Sequence, residues 1–174
     1  MLSKVRIRVE FWGDYMALND FNLITDRTQS DVDRYTELKA KFLHGMTEAE
    51  KTEWQTFLKG AYNYTDMNRV ESAVEYVASR LSEAGYVVIP VVKKNWAVTD
   101  KPTLDDLKRY MKNVSDIRAA LTTFETTPEA PTTEKKLSFQ AANALEQILI
   151  DVDDLISRMT DAYFYSGDLY CGEI

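Results

Sequence analysis

The side chains to test first for bond-making chemistry are one histidine, one cysteine and a few close-set carboxylates. His44 stands beside Gly45 at an expected helix end, where a cationic imidazole favours the helix dipole. No recognisable motif places a nucleophile near it. Cys171 has no histidine close in sequence and reads as a small half-buried residue. Asp151, Asp153 and Asp154 sit close together, with Asp161 further on, and Asp151 and Asp154 share a helix face. A calcium loop needs glycine and alternating oxygen ligands in a non-helical turn. A di-metal helical site needs Glu-x-x-His pairs. The cluster therefore reads as a solvated acidic face, and Glu48, Glu50 and Glu53 read as dipole partners of a helix start. The 6 glycines are scattered singly and build neither a Walker nor a Rossmann loop. No catalytic, cofactor-binding or metal-binding residue is assigned, and the chain is read as non-enzymatic.

Aromatic residues carry the remaining signal. Tyr62, Asn63 and Tyr64 form a tyrosine-rich turn, and Tyr163, Phe164, Tyr165 and Tyr170 cluster near the C-terminus. The chain ends on a doubled pentapeptide, Tyr-Ser-Gly-Asp-Leu from Tyr165 to Leu169 and Tyr-Cys-Gly-Glu-Ile from Tyr170 to Ile174. Five is an odd period, so in an extended chain the two tyrosines would face opposite ways. A bend at Gly167 would bring both to one side. Aromatic faces with polar rims suit sugars or protein surfaces. Tyr62, Tyr64, Tyr163, Tyr165, Leu169, Tyr170 and Ile174 are thus the candidate partner-binding residues. For Tyr62 and Tyr163 the competing reading is core filling; for Tyr165 and Tyr170 contact and packing both fit.

The elements that must position these residues are helical. Ser30 is an expected N-cap, with Asp31 and Asp33 in the first turn and Val32, Tyr35, Leu38 and Phe42 at helical spacing. Thr47 and Glu50 form a capping box opening a short helix with Trp54, Phe57 and Leu58 inward, closed by Gly60. Thr65 is an expected cap for a longer helix with Met67, Val70, Val74, Val77, Leu81 and Ala84 as its seam, stopped by Gly85. The β-branched run from Tyr86 to Val92 reads as a minor strand, pushed to an edge by Pro90. Pro102 and Thr103 open a fourth helix striped by Leu104, Leu107, Met111, Val114, Ile117, Leu121 and Phe124. Thr126 to Thr133, containing Pro128 and Pro131, is the clear linker. Ser138 caps the last helix, whose seam is Ala141, Leu145, Ile148, Val152, Leu155, Met159 and Tyr163.

The expected architecture is a mainly α bundle of about five helices with a minor β element and a short irregular or hairpin-like tail. Helices one to four would form one bundle; the last would pack within the chain or pair between subunits. Residues 1–25 form an uncertain N-terminal segment, 26–125 a helical core, 126–137 a Pro/Thr linker, and 138–174 a C-terminal helix with a docking tail.

At 174 residues the chain has the length of one domain, and 45% hydrophobic with 28% charged residues is the composition of a soluble globular protein. A net charge of −7 with pI near 4.8 speaks against nucleic acid and against an anionic membrane surface. Its apolar runs are short of a membrane span, and one cysteine excludes an intrachain disulfide framework. Val5, Ile7, Val9 and Phe11 alternate with charged residues as in a half-buried strand. Two starts fit, however. If Gly13 is read from GGA, the codons of Trp12 to Asp14 carry a ribosome-binding-like GGGGAG just ahead of Met16. Residues 1–15 would then be a mis-assigned extension.

Three stretches carry a family resemblance. They are Asp-Arg-Thr-Gln-Ser-Asp-Val-Asp from Asp26 to Asp33, Lys-Gly-Ala-Tyr-Asn-Tyr-Thr-Asp-Met-Asn-Arg-Val-Glu from Lys59 to Glu71, and Asp151-Val152-Asp153 followed by the segment from Tyr163 to Ile174. In this order they resemble small tail-associated or minor structural proteins of bacteriophages and prophages of Gram-positive gut bacteria. The likeness covers most of the chain from about Asp26 onward. The strings transfer membership rather than mechanism, and no binding residue is carried over. The resemblance implies a virion protein made in the bacterial cytoplasm, homo-oligomeric and docking to other phage structural proteins, with no catalytic site or cofactor. Two other functions are kept open: a host-surface module gripping cell-wall glycan or protein through its tyrosines, and a small prophage-encoded intracellular regulator.

Overall fold

The computed structural model describes residues 17–56, 58–132 and 137–167, with 163–167 described by their backbone alone. Met16, Leu169, Tyr170, Cys171 and Ile174 lie outside these residues, so the readings placed on them stand where the sequence left them. Among the described residues the chain is mainly helical, with five α-helices and no strand. They are α1 (Gln29–Phe42), α2 (Glu48–Gln55), α3 (Tyr64–Glu83), α4 (Leu104–Ala119) and α5 (Phe139–Gly167), preceded by a 3-10 turn at Leu18–Phe21.

Short polar residues start these helices by closing reciprocal caps. Thr28 with Asp31, Thr47 with Glu50, Asn63 with Asp66 and Thr103 with Asp106 each pair cap side chain to N3 backbone and N3 carboxylate to cap backbone. Each such cap contributes about 1 kcal/mol. Two caps differ from expectation: Thr28 rather than Ser30 starts α1, and Asn63 rather than Thr65 starts α3. At α3 the acid three residues on selects Asn63 over Thr65; at α1 both Thr28 and Ser30 have one, and it is Thr28 that closes the box with Asp31. Ser138 caps α5 as expected, its Oγ accepting from Ala141 N at 3.1 Å. At the end of α3, Gly85 takes φ +90 and completes a Schellman motif, with Tyr86 N donating to Leu81 O and Gly85 N to Ser82 O.

Three of the helices make the core. Val70, Val74, Val77 and Leu81 of α3 meet Tyr110, Met111, Val114 and Ile117 of α4 and Leu145, Ile148, Leu149, Val152 and Ile156 of α5, with Leu18 closing one side. The α5 stripe is broader than the expected seam and drifts from it. Ala142, Leu149 and Ile156 are buried where Ala141, Leu155 and Met159 were expected. A straight helix wedged between two others buries a face at period 3.6, whereas strict 4-3 alternation assumes a supercoil. α5 thus packs within its own chain along this stretch. Helices one to four do not form a bundle by themselves: α1 and α2 make a hairpin beside the α3–α4–α5 core.

The expected strand from Tyr86 to Val92 is not a strand. Residues 86–97 run extended but pair with side chains instead of another strand. Asn113 takes Val91 N at 3.1 Å and Val91 O at 2.8 Å. Asn68 takes Trp96 N at 2.8 Å and Trp96 O at 2.9 Å. The first strap of the chain, residues 23–28, with 86–97 its second, is held likewise: Asn143 accepts from Arg27 N at 3.1 Å and donates to Arg27 O at 2.9 Å. An asparagine amide presents the same donor and acceptor as a neighbouring peptide, so it satisfies an extended residue without a ladder. The segment between α4 and α5 is also tied down, with Thr127 buried and Arg118 Nε donating to Pro128 O at 2.8 Å.

The expected tail starts later than its sequence suggested. Residues 165–167, placed beyond the last helix, belong to α5. The helical backbone therefore reaches Gly167, and the bend expected there and the tail beyond it fall at or past the last described residue.

Candidate functional site

Two groups of polar residues stand out, one buried and one open. The buried group lies where α3, α5 and the first strap meet. Asp66 sits four residues before Val70, and Glu146 four residues after Ala142, so spacing puts both carboxylates inside apolar stripes. Asp66 Oδ1 lies 2.7 Å from Arg69 and 3.3 Å from Arg27. Glu146 pairs with Arg27 at 2.8 Å and Arg69 at 3.3 Å, and accepts from Ile24 N at 2.6 Å. Burial pushes the Glu146 carboxyl above its ordinary range against the pull of Arg27. Beside them the Tyr62 and Tyr110 hydroxyls share a hydrogen bond, and the Arg27 guanidinium lies 5.2 Å from the Tyr62 ring centre. Burial pushes both tyrosine hydroxyls upward.

A second lock fixes the other strap. Glu71, one residue past Val70 and fully buried, accepts from Arg109 at 2.7 and 2.6 Å, from Lys93 N at 2.7 Å and from Trp96 Nε1 at 3.2 Å. Every carboxylate oxygen in these two clusters is committed to an arginine or a backbone N–H. They are structural locks: each pins a strap to the core. Sequence reasoning missed them, although an acid inside an otherwise apolar stripe is the signal that marks such a residue.

The open group is a cleft of about 670 Å³ between the α1–α2 hairpin, the start of α3 and residues 96–102. Tyr35 and Trp54 line its hairpin side with rings 5.8 Å apart and nearly parallel. Tyr62 lines it from the turn before α3, Tyr64 from the first residue of α3, and Trp96 from the second strap. The walls are held rigidly. Asn68 and Glu71 fix Trp96 by its backbone and indole N–H, while Lys93 Nζ covers its ring at 3.6 Å. Arg34 bridges α1 to Glu53 of α2 at 2.5 and 2.8 Å.

The structure places Tyr62 and Tyr64 on one cleft. Tyr62 lines the cleft while its hydroxyl is buried against Tyr110. Tyr163 and Tyr165 lie on α5, and their side chains fall outside the described residues. Tyr35, Trp54 and Trp96 were not assigned to a site; they lie far from residue 62 in sequence and only the fold collects them.

The acidic residues of α5 diverge. Asp151 accepts from Gln147, Asp153 pairs with Arg80, and Asp154 pairs with Arg158 at 2.9 Å. Burial raises the Asp153 carboxyl. Among the described residues no group of three metal-ligating side chains converges. No described helix is long and apolar enough to cross a membrane. His44 follows α1, its backbone N donating to Lys41 O at 3.0 Å. Comparison of the chain with protein-family models, with curated proteins and with solved structures returned no match.

Proposed function

We propose that this protein is a non-enzymatic, tail-associated structural protein of a phage or prophage virion, made in the bacterial cytoplasm and acting by self-assembly and by docking to other virion proteins. One observation carries the docking part of this reading. Among the residues of α5 whose side chains are described, Ile156 is the last buried one, residues 158–162 are exposed, and the helical backbone reaches Gly167. Residues 159–162 expose their side chains past that point, and this last stretch of α5 is the arm proposed to dock. Met159 is exposed on that arm. Tyr163, Tyr165, Leu169, Tyr170 and Ile174 are the residues proposed to meet a neighbouring subunit. The virion part rests on the resemblance of the three sequence stretches quoted above.

The test is native mass by light scattering on the chain from Met16, with and without residues 165–174. The expected result is a discrete oligomer that falls to monomer on truncation while helicity persists. An oligomer that survives truncation would overturn the docking role of the arm; a monomer in both forms would overturn self-assembly.

A second reading is favoured by a separate observation, the gathering of five aromatic residues around one cleft. In it, the protein engages a ligand on the host surface through Tyr62, Tyr64 and their neighbours.

A further inference from the structure

We infer that the cleft between the α1–α2 hairpin and the start of α3 is a binding site for a neutral carbohydrate, with Tyr64 and the Tyr35–Trp54 stack as its pyranose platforms. This rests on the second reading above and names its ligand class. Three observations on the cleft select that class.

The first is the kind of apolar surface exposed. Tyr35, Trp54, Tyr62 and Tyr64 bring flat rings to a cleft of about 670 Å³, a volume that takes a small oligosaccharide. Pyranose rings present C–H faces that lie on aromatic planes, and they need flat partners rather than branched ones.

The second is the polar inventory between those planes. The Tyr35 and Tyr64 hydroxyls, Asn63 Nδ2 and the Gln55 amide make no hydrogen bond among the described residues, although all four residues line the cleft. Asn63 spends only its Oδ1, accepting from Thr65 N at 2.8 Å and Thr65 Oγ1 at 2.6 Å. Hydroxyls and amides of mixed donor and acceptor character match the vicinal hydroxyls of a sugar. An apolar peptide face would leave them unpaired.

The third is charge. Asp100 is the one ionisable acid lining the cleft, and it is already engaged by Ala97 N at 3.1 Å and Lys93 Nζ at 3.3 Å. No basic side chain lines the cleft. The nearest cation, Lys93, is spent on Asp100 and on the Trp96 ring, so an anionic glycan would meet no free counter-charge, and a cationic ligand would have to compete with Lys93. A neutral sugar has no such requirement.

The test uses the full chain. Its tryptophan fluorescence and amide spectrum are titrated with neutral chito-, cello- and malto-oligosaccharides and, separately, with a polyanionic glycan. Binding to intact cell-wall preparations is measured in parallel. Expected is saturable binding of at least one neutral series, with shifts at residues 62–64 and the Trp54 and Trp96 indoles. Tyr64→Ala should weaken it roughly tenfold, as loss of one stacking ring implies. Tyr64→Phe should retain most of it, and Tyr86→Ala, outside the cleft, all of it. Tyr64 is exposed at the first turn of α3, so its truncation leaves the core intact. Saturable neutral-sugar binding with no retention on cell walls would uphold the site and overturn the host-surface reading. Wall retention that neutral sugars do not displace but that Tyr64→Ala abolishes would do the reverse, and retention untouched by both would overturn both. Silence in both assays, or a preference for the polyanion, would overturn the carbohydrate site.

Discussion

Asn113 and Val91 pair as two strands would, with one side chain standing for the missing neighbour: Oδ1 accepts from Val91 N at 3.1 Å while Nδ2 donates to Val91 O at 2.8 Å. Without that pairing a β-branched, extended segment has no partner for its backbone. Val87, Ile89 and Val91 point outward and Val88 and Val92 pack on the core, so the segment keeps strand alternation without a sheet. Replacing Asn113 by Ala leaves two backbone groups of Val91 with only Arg109, which reaches the carbonyl at 2.5 Å. We expect a loss of about 1–3 kcal/mol in urea unfolding and accelerated hydrogen exchange at the Val91 amide. Exchange at Val91 that matches the unsubstituted protein would show that the amide is protected by something else.

How much of this was legible in the sequence follows from what each signal depends on. The α3 seam from Met67 to Leu81 was read correctly because helical periodicity is local, and Thr47 was found because a capping box spans four residues. The strand at residues 86–92 was misread because extended conformation is local but its partner is not: Asn113 lies on another helix. The α5 seam was right at Leu145, Ile148 and Val152, lacked Leu149 between them and was wrong at Ala141, Leu155 and Met159 on either side, since the pattern shows a stripe but not how many helices will cover it. Tyr62 and Tyr64 were found as a turn; Tyr35, Trp54 and Trp96 join them only through packing.

Glu146 closes a buried cluster of two acids and two arginines with no excess charge. Glu146→Gln keeps an acceptor for Ile24 N but leaves Arg27 and Arg69 facing Asp66 alone. One uncompensated cation is then enclosed, which costs about 3 kcal/mol when a buried pair is broken. Urea unfolding monitored by circular dichroism should show that loss at pH 7. A midpoint within error of the parent would mean that the cluster is better hydrated than its burial implies.

Acid should loosen the α1–α2 hairpin before the core. Lys41 beside it, and then Thr47, hold the Glu50 carboxyl down at about 2 from its ordinary 4.5. Lys41 and Arg34 likewise lower Glu37, and Arg34 lowers Glu53. A carboxyl depressed in the folded state stabilises it above the unfolded pKa, and that contribution is lost as pH falls through the folded one. For Glu50 the window runs from about 4.5 down to about 2. Glu146 has the opposite sign, because burial raises it, so this buried cluster does not begin the loss. The Trp54 indole resonance should shift through this window ahead of the α3 amides, and Lys41→Met should move the shift to higher pH. Simultaneous change in both sets would remove the hairpin as a separate acid-labile unit.

Gly60 sets how closely the hairpin approaches the turn before α3, and it does so by space rather than by a left-handed backbone. A Cβ at this position would stand 2.0 Å from Asp31 O and 2.6 Å from Val32 N, both backbone atoms of the first turn of α1. Backbone within a capped helical turn cannot swing aside as the tip of a flexible side chain can. Gly60→Ala must therefore push α1 away from the α3 entrance, and overpacking of this kind costs about 1–3 kcal/mol. Gly45 supplies the contrast. Its φ is +106 but nothing lies within 4 Å of its Cβ position, so Gly45→Ala meets local strain alone, about 1 kcal/mol. The distinguishing readout is where the spectrum moves. Gly60→Ala should shift amides of α1 and of residues 62–64 together, because the cleft opens, whereas Gly45→Ala should disturb only the α1–α2 connection. If Gly60→Ala leaves residues 62–64 in place, the cleft width is set elsewhere, and the Arg34–Glu53 bridge becomes the contact to cut next.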